Sequence, residues 1–95
     1  MSDRVVFVLI ARLPDAAGAA RFAAYEERVL PLLGDHGGRL ERRLRRADAL
    51  VEVHVVSFPS PEAFAAYRDD PRRRAHAGLL DASGARTEVL ELREA

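Results

Sequence analysis

Between Arg4 and Arg12 the chain reads VVFVLIA, a run of β-branched, aromatic and aliphatic residues with no polar alternate. Such a run describes a strand covered on both faces. Val6, Val8 and Ile10 project to one side of it, and Val5, Phe7 and Leu9 to the other. A chain of 95 residues builds one hydrophobic core, and its helices can cover only one side of a sheet. The second apolar flank therefore demands a cover from elsewhere.

The remaining segments supply the other elements. Pro14 and Asp15 stop the strand, and Asp15 is placed to cap a helix whose inward stripe is Phe22, Tyr25, Val29 and Leu32 or Leu33, with Arg21, Glu27 and Arg28 off it. Pro31 removes an amide and crowds the carbonyl of Glu27, which predicts a kink or restart there. Gly34 and the Gly37–Gly38 pair end the helix. Arg39 to Arg46 alternates, with Leu40 and Leu44 opposite Arg39, Glu41, Arg43 and Arg45, as an edge strand with one wet face does. A short hairpin turn over Ala47–Asp48–Ala49 leads into a strand from Leu50 to Phe58. Of its two sets of side chains, Val51, Val53, Val55 and Ser57 read as core, against Leu50, Glu52, His54, Val56 and Phe58. Ser60–Pro61–Glu62 starts a second helix, with Ala63, Phe64 and Tyr67 inward. Asp70–Pro71 repeats the signal, so that helix stops near Asp69 and a short one runs to about Leu80. Ser83–Gly84 turns the chain into a last strand over Thr87 to Arg93.

The order is β-α-β-β-α-β. With right-handed crossovers it gives an α+β, ferredoxin-like fold: a four-stranded antiparallel sheet with both helices on one face, spanning residues 1–95 as a single domain. Burying the three side chains of the free flank contributes roughly 5–9 kcal/mol per subunit. Association costs on the order of 4–15 kcal/mol. The magnitudes match, so the expectation is a homodimer with two sheets face to face about a two-fold axis.

Composition removes several function classes. Fifteen acidic residues balance fifteen basic ones, leaving no long-range field for nucleic acid or an anionic membrane. The absence of cysteine excludes disulfides, thiolate metal sites and a cysteine nucleophile, and fits a reducing cytoplasm. Val5 to Ala11 is far short of the roughly 20 residues that cross a bilayer. As a secretory leader it is also a poor match, because Asp3 offsets Arg4 and Arg12 and Asp15 interrupt the stretch. The expectation is a soluble cytoplasmic protein with neither a membrane nor a nucleic-acid partner.

The pattern FxxYxxxxxPLLxxxGGRL at Phe22 to Leu40, followed by VSFPSPEAFAAYRDDP at Val56 to Pro71, resembles the dimeric α/β-barrel superfamily. Within it, the chain is most similar to the uncharacterised group called domain of unknown function 1330. The resemblance covers nearly the whole chain, and its clearest motifs are turns and caps. It implies a dimeric ferredoxin-like fold, in a superfamily holding cofactor-free antibiotic-biosynthesis monooxygenases, muconolactone-isomerase-like proteins, haem-degrading enzymes and small-ligand sensors. Fold does not choose among these. Two departures stand out: Asp48–Ala49 occupies the place where the group often carries Glu-Gly, and Asp69–Asp70–Pro71–Arg72 replaces its later Ser-Pro-Glu-Tyr-like segment. Site residues of those segments do not carry over.

Glu52 and His54 are the foremost catalytic candidates. Two apart on a central strand, they point to the same side about 6–7 Å apart, and a carboxylate beside an imidazole tunes it as a general acid or base. The structural alternative places both on the sheet–sheet surface, satisfied by arginines of a partner subunit. For ligand binding the candidates are Tyr25 and Tyr67 on the inward helix stripes, and His36 and Arg39 around Gly37–Gly38, where backbone can approach a ligand. Core phenols and a solvated turn are the corresponding structural alternatives. His76, one helical turn beyond Arg72, would suit an anion or simply a wet helix face. The arginines from Arg39 to Arg46 split between two faces and read as protection of a strand edge. Three histidines without a shared short spacing give no metal site, and no bound cofactor is expected.

These residues lead to two expectations. One is a homodimer with an apolar cavity between helices and sheet that binds a small organic molecule, oxidising or isomerising it without a cofactor. Glu52 or His54 then faces the cavity with a tyrosine nearby. The other is a non-catalytic binding or interaction module whose sheet face serves only dimerisation.

Overall fold

In a computed structural model that describes residues 4–95, the apolar run forms β1 (Val5–Arg12). Asp3 of the leader argument lies outside the described residues. The elements that follow are α1 (Ala16–Val29), a 3₁₀ helix (Leu30–His36), β2 (Arg39–Arg45), β3 (Val51–Phe58), α2 (Pro61–Asp69), α3 (Pro71–Arg74), α4 (Ala77–Ser83) and β4 (Arg86–Leu92). The four strands make one antiparallel sheet of order β2-β3-β1-β4, the ferredoxin-like arrangement.

Local chemistry explains the boundaries. The Asp15 carboxylate accepts from the Gly18 amide at 2.7 Å and caps α1, and the Ser60 hydroxyl accepts from the Ala63 amide at 3.1 Å at the start of α2. Helix α1 ends at Val29, and Pro31 sits in the first turn of the 3₁₀ helix that takes over. Gly37 closes that turn with φ 71°, a left-handed conformation that glycine adopts without strain. Gly18 serves packing instead. A Cβ there would collide with the Ser83 carbonyl, so the glycine lets α1 and α4 approach closely. The expected single helix after Asp70 is broken into α3 and α4.

The strand registers assign the faces. Val5 pairs with Phe58, Phe7 with Val56, Leu9 with His54 and Ala11 with Glu52, and this column lies under the helices. The core reading of β3 is thereby reversed: Val56 and Phe58 are buried with Val5, Phe7, Leu33 and Tyr67, while Val51, Val53 and Val55 are only half-buried on the opposite face. Their β-branched character is that of a strand covered twice, and alternation alone does not tell which cover is the helices. A second cluster of Ala11, Leu13 and Phe22 fills the other end of the helix-facing layer. In β2 a register shift between Leu40 and Arg42 sets Leu40 opposite Val56 and Leu44 opposite Val53. The two leucines thus fall on opposite faces rather than together, because a bulge adds one residue to the alternation.

The bare face carries Val6, Val8 and Ile10 of β1 beside Val53 and Val55 of β3 and Leu90 and Leu92 of β4. Leu44, Leu90 and Leu92 are about two-fifths exposed. No helix of the described residues covers this side, and none is long and apolar enough to cross a membrane.

Candidate functional site

The two core clusters are separated by a polar gap. Toward the hairpin end of the helix-facing column β3 places Glu52 and His54 at alternate positions, and α1 lowers Glu26 toward His54. All three are at most 3% exposed. His54 Nε2 lies 2.7 Å from Glu52 Oε2, and His54 Nδ1 lies 3.7 Å from Glu26 Oε2. Glu52 Oε1 accepts from Arg45 Nε at 2.9 Å and from Arg45 Nη2 at 2.7 Å, with Arg43 Nη2 at 3.4 Å. Two guanidiniums from the edge strand therefore neutralise a carboxylate that burial would otherwise penalise.

These contacts fix the protonation pattern. Burial pushes the Glu52 carboxyl up, but its bonds to Arg45 and His54 outweigh that and hold it below the usual carboxylate range. Burial lowers His54 against the opposing pull of Glu52, so its imidazole is neutral at pH 7. A neutral ring facing an ionised carboxylate donates from Nε2, which leaves the Nδ1 lone pair turned toward Glu26. Glu26 itself is raised to about 7, first by burial and then by the neighbouring Glu52 charge, with Arg73 and Arg43 opposing. At neutral pH one buried carboxyl thus stands poised to give or take a proton.

The array opens on a pocket of about 100 Å³ between helices and sheet. His54, Glu26, Tyr25 and Tyr67 border it, with Phe7 and Phe64 among its apolar walls. The Phe7 and Phe64 rings stack at 3.8 Å between centroids. The Tyr67 hydroxyl donates to the Val29 carbonyl at 3.3 Å, and burial raises its pKa to about 12, so the phenol stays protonated. Tyr25 is raised for the same reason. The Arg73 guanidinium lies over both rings, 5.7 Å from Tyr25 and 5.0 Å from Tyr67.

Of the residues singled out from the sequence, the fold brings Glu52, His54, Tyr25 and Tyr67 together. Glu52 and His54 lie under the helices, not on the sheet–sheet surface. His36 is held elsewhere: its Nε2 sits 2.8 Å from Asp70 Oδ2, and Arg72 grips the same carboxylate at 2.8 and 3.1 Å. Arg72 also bridges to Asp35 at 2.9 Å. This network ties the end of the 3₁₀ helix to the start of α3 and holds the Asp70 carboxyl well below its ordinary range, Arg72 contributing first and His36 next. With Arg72 so engaged, the anion site imagined for Arg72 and His76 has no free guanidinium. Arg39 is exposed opposite Ser57, away from the pocket. Two residues escaped the sequence reading. Glu26 sits four after Phe22 and three before Val29, and an acidic residue on an otherwise apolar stripe is the signal that marks it. Arg73 lies within a run of arginines and carries no local signal. Among the described residues no group of histidine, aspartate and glutamate side chains is arranged to hold a metal ion.

Fold and site together define an α+β protein of ferredoxin-like order with an acid–base array at a small apolar pocket. No family model matches the chain, and no curated protein does. Solved structures do. SnoaB, a cofactor-independent oxygenase from Streptomyces nogalater, is similar over 98% of this chain and 94% of its own, with 22% identity and a TM-score of 0.81. A Caulobacter crescentus protein provisionally classed as an antibiotic biosynthesis monooxygenase is similar over 99% and 92%, with 12% identity and a TM-score of 0.77. A protein of unknown function from Jannaschia, described as dimeric and ferredoxin-like, is similar over 95% and 99%, with 20% identity and a TM-score of 0.72. At these identities the likeness establishes the shared fold.

Proposed function

We propose that this chain is a homodimeric, single-domain, small-molecule-binding protein whose pocket moves a proton to and from a bound organic molecule without a cofactor. The observation that carries the reading is the buried Glu26–His54–Glu52 array at the wall of an apolar pocket, with Glu26 raised to about 7. A base of that kind, shielded from water, takes a proton from carbon next to a carbonyl or from an activated ring methylene. Returning the proton to another carbon isomerises the molecule. Alternatively the carbanion reacts with O2, and the resulting hydroperoxide takes the proton back and loses water, so that CH2 and O2 become C=O and H2O. The second outcome is a monooxygenation that needs no cofactor, and the likeness to SnoaB favours it. The finer kinship to the domain of unknown function 1330 group rests on the quoted motifs, and the cytoplasmic setting on the absence of cysteine.

The dimer follows from the bare sheet face. Val6, Val8, Ile10, Val53 and Val55 form an apolar surface with exposed leucines at its borders, and a second copy offers a matching surface about a two-fold axis. The dimeric Jannaschia neighbour agrees with this.

The reading is tested by following deuterium uptake from D2O at the activated carbon of small enolisable ketones and hydroxyarenes by NMR. Wild-type protein accelerates exchange, and Glu26→Gln, which keeps the shape of the side chain but cannot ionise, abolishes the acceleration while the fold is retained. Exchange that survives in Glu26→Gln makes the array structural. A second reading has one observation in its favour: the pocket of about 100 Å³ is below the ~300–1,000 Å³ of typical ligand sites. That reading is a non-catalytic module in which the buried array serves the fold and the bare face serves pairing.

A further inference from the structure

The arginines of α3 are not equivalent. Arg72 is paired with Asp70 and Asp35, and Arg74 with Asp69. Arg73 between them makes no ion pair among the described residues, and its buried Nε lacks any hydrogen-bond partner there. Its guanidinium instead stacks over Tyr25 and Tyr67 at the pocket lining. Arg68 lines the same pocket, over the Phe64 ring at 5.7 Å. Among the described residues the only carboxylate lining this pocket is Glu26, and Glu52 behind it is already neutralised by Arg45 and Arg43. A buried donor left without an acceptor is destabilising, the more so when it is charged. The pocket thus combines apolar and aromatic walls with an unmatched positive charge at one side.

We propose that Arg73 is a ligand-binding residue and that the pocket selects a single-ring aromatic molecule bearing an anionic oxygen, a carboxylate or an enolate, which completes the bonding of the guanidinium. The inference deepens the small-molecule reading above and rests on it. The charged oxygen lies against Arg73 between the two tyrosine rings, and the ring occupies the apolar space toward Phe7 and Phe64. An aromatic flat face suits those walls, and the planar guanidinium fork suits a carboxylate.

The test is calorimetric titration at pH 7 of the full chain with benzoate and with benzamide, which share a ring and differ in charge. Wild-type protein binds benzoate about tenfold or more tightly than benzamide, the ratio expected of a charge-assisted bond. In Arg73→Gln the ratio falls to about one, and in Arg73→Lys, which keeps the charge, it falls between the two. If wild type binds both equally, the anion preference is wrong, and if the preference survives in Arg73→Gln, Arg73 is not the residue that binds the anion; either result overturns the proposal while the small-molecule reading stands. If wild type binds neither, both fall. The comparison of two ligands on one wild-type protein decides the question even where a variant fails to fold.

Discussion

His54 Nδ1 faces Glu26 Oε2 at 3.7 Å, and each side chain is almost wholly withdrawn from water. Burial first, and the neighbouring negative charge of Glu52 next, raise the Glu26 carboxyl on folding from its ordinary 4.5 to about 7. A carboxyl raised on folding contributes stability below its unfolded pKa and loses that contribution as pH climbs through the folded value. The loss spans roughly pH 4.5 to 7 and amounts to about 3 kcal/mol. Glu26→Gln removes the ionisation. Urea unfolding at pH 8 is expected to show the variant more stable than wild type by up to that amount, with the two converging near pH 4.5. A difference that does not change with pH would show that Glu26 does not titrate in this window.

Glu52→Gln tests the other side of the imidazole. The substitution leaves Arg45 and Arg43 without their shared carboxylate and removes the charge that holds the His54 tautomer. A loss of about 1–3 kcal/mol is expected. The Glu52 contacts are what raise the His54 pKa against burial, so an NMR titration of the His54 ring moves further down in the variant. An upward or absent shift would mean that Glu52 is not the group that sets the ring.

Val53→Asp addresses the bare face. Val53 lies between Ile10 and Leu44 on the side away from the helices, so a carboxylate there is desolvated against the apolar face of the second copy. Sedimentation at micromolar concentration is expected to show wild type as a dimer and the variant as a monomer with an unchanged far-ultraviolet spectrum. A wild-type chain that sediments as a monomer removes the paired-sheet arrangement altogether.

Element order and caps were legible because their signals are local. Ser60, Pro61 and Asp15 act within a few residues of themselves, and Pro31 ended α1 where its missing amide required. The face assignment of β3 was less legible, since Val51, Val53 and Val55 match the pattern of any covered strand while the true helix-side column carries Glu52 and His54. Burial of charged residues runs against the usual inference from polarity and becomes intelligible only once Arg43 and Arg45, paired with His54 and Glu52 across the hairpin, are seen to neutralise Glu52. Leu40 and Leu44 were placed on one side because a bulge leaves no composition mark of its own here. Arg73 was beyond reach for a further reason: its place over Tyr25 and Tyr67 depends on how α3 follows α2, a tertiary relationship that no spacing within the arginine run encodes.

The slip in β2 between Leu40 and Arg42 reaches beyond geometry. Uninterrupted alternation back from Arg45 and Arg43 would deliver Glu41 to the helix side, adding another negative charge to a layer that already holds Glu26 and Glu52. The extra residue instead sends Glu41 outward, where it accepts from the Ser57 hydroxyl at 2.7 Å, and offers Leu40 in its stead. An insertion or deletion of one residue at this outermost strand, where only one neighbour constrains the backbone, is therefore a direct route by which a descendant of this chain would retune the acidity of its interior without altering any residue of the pocket.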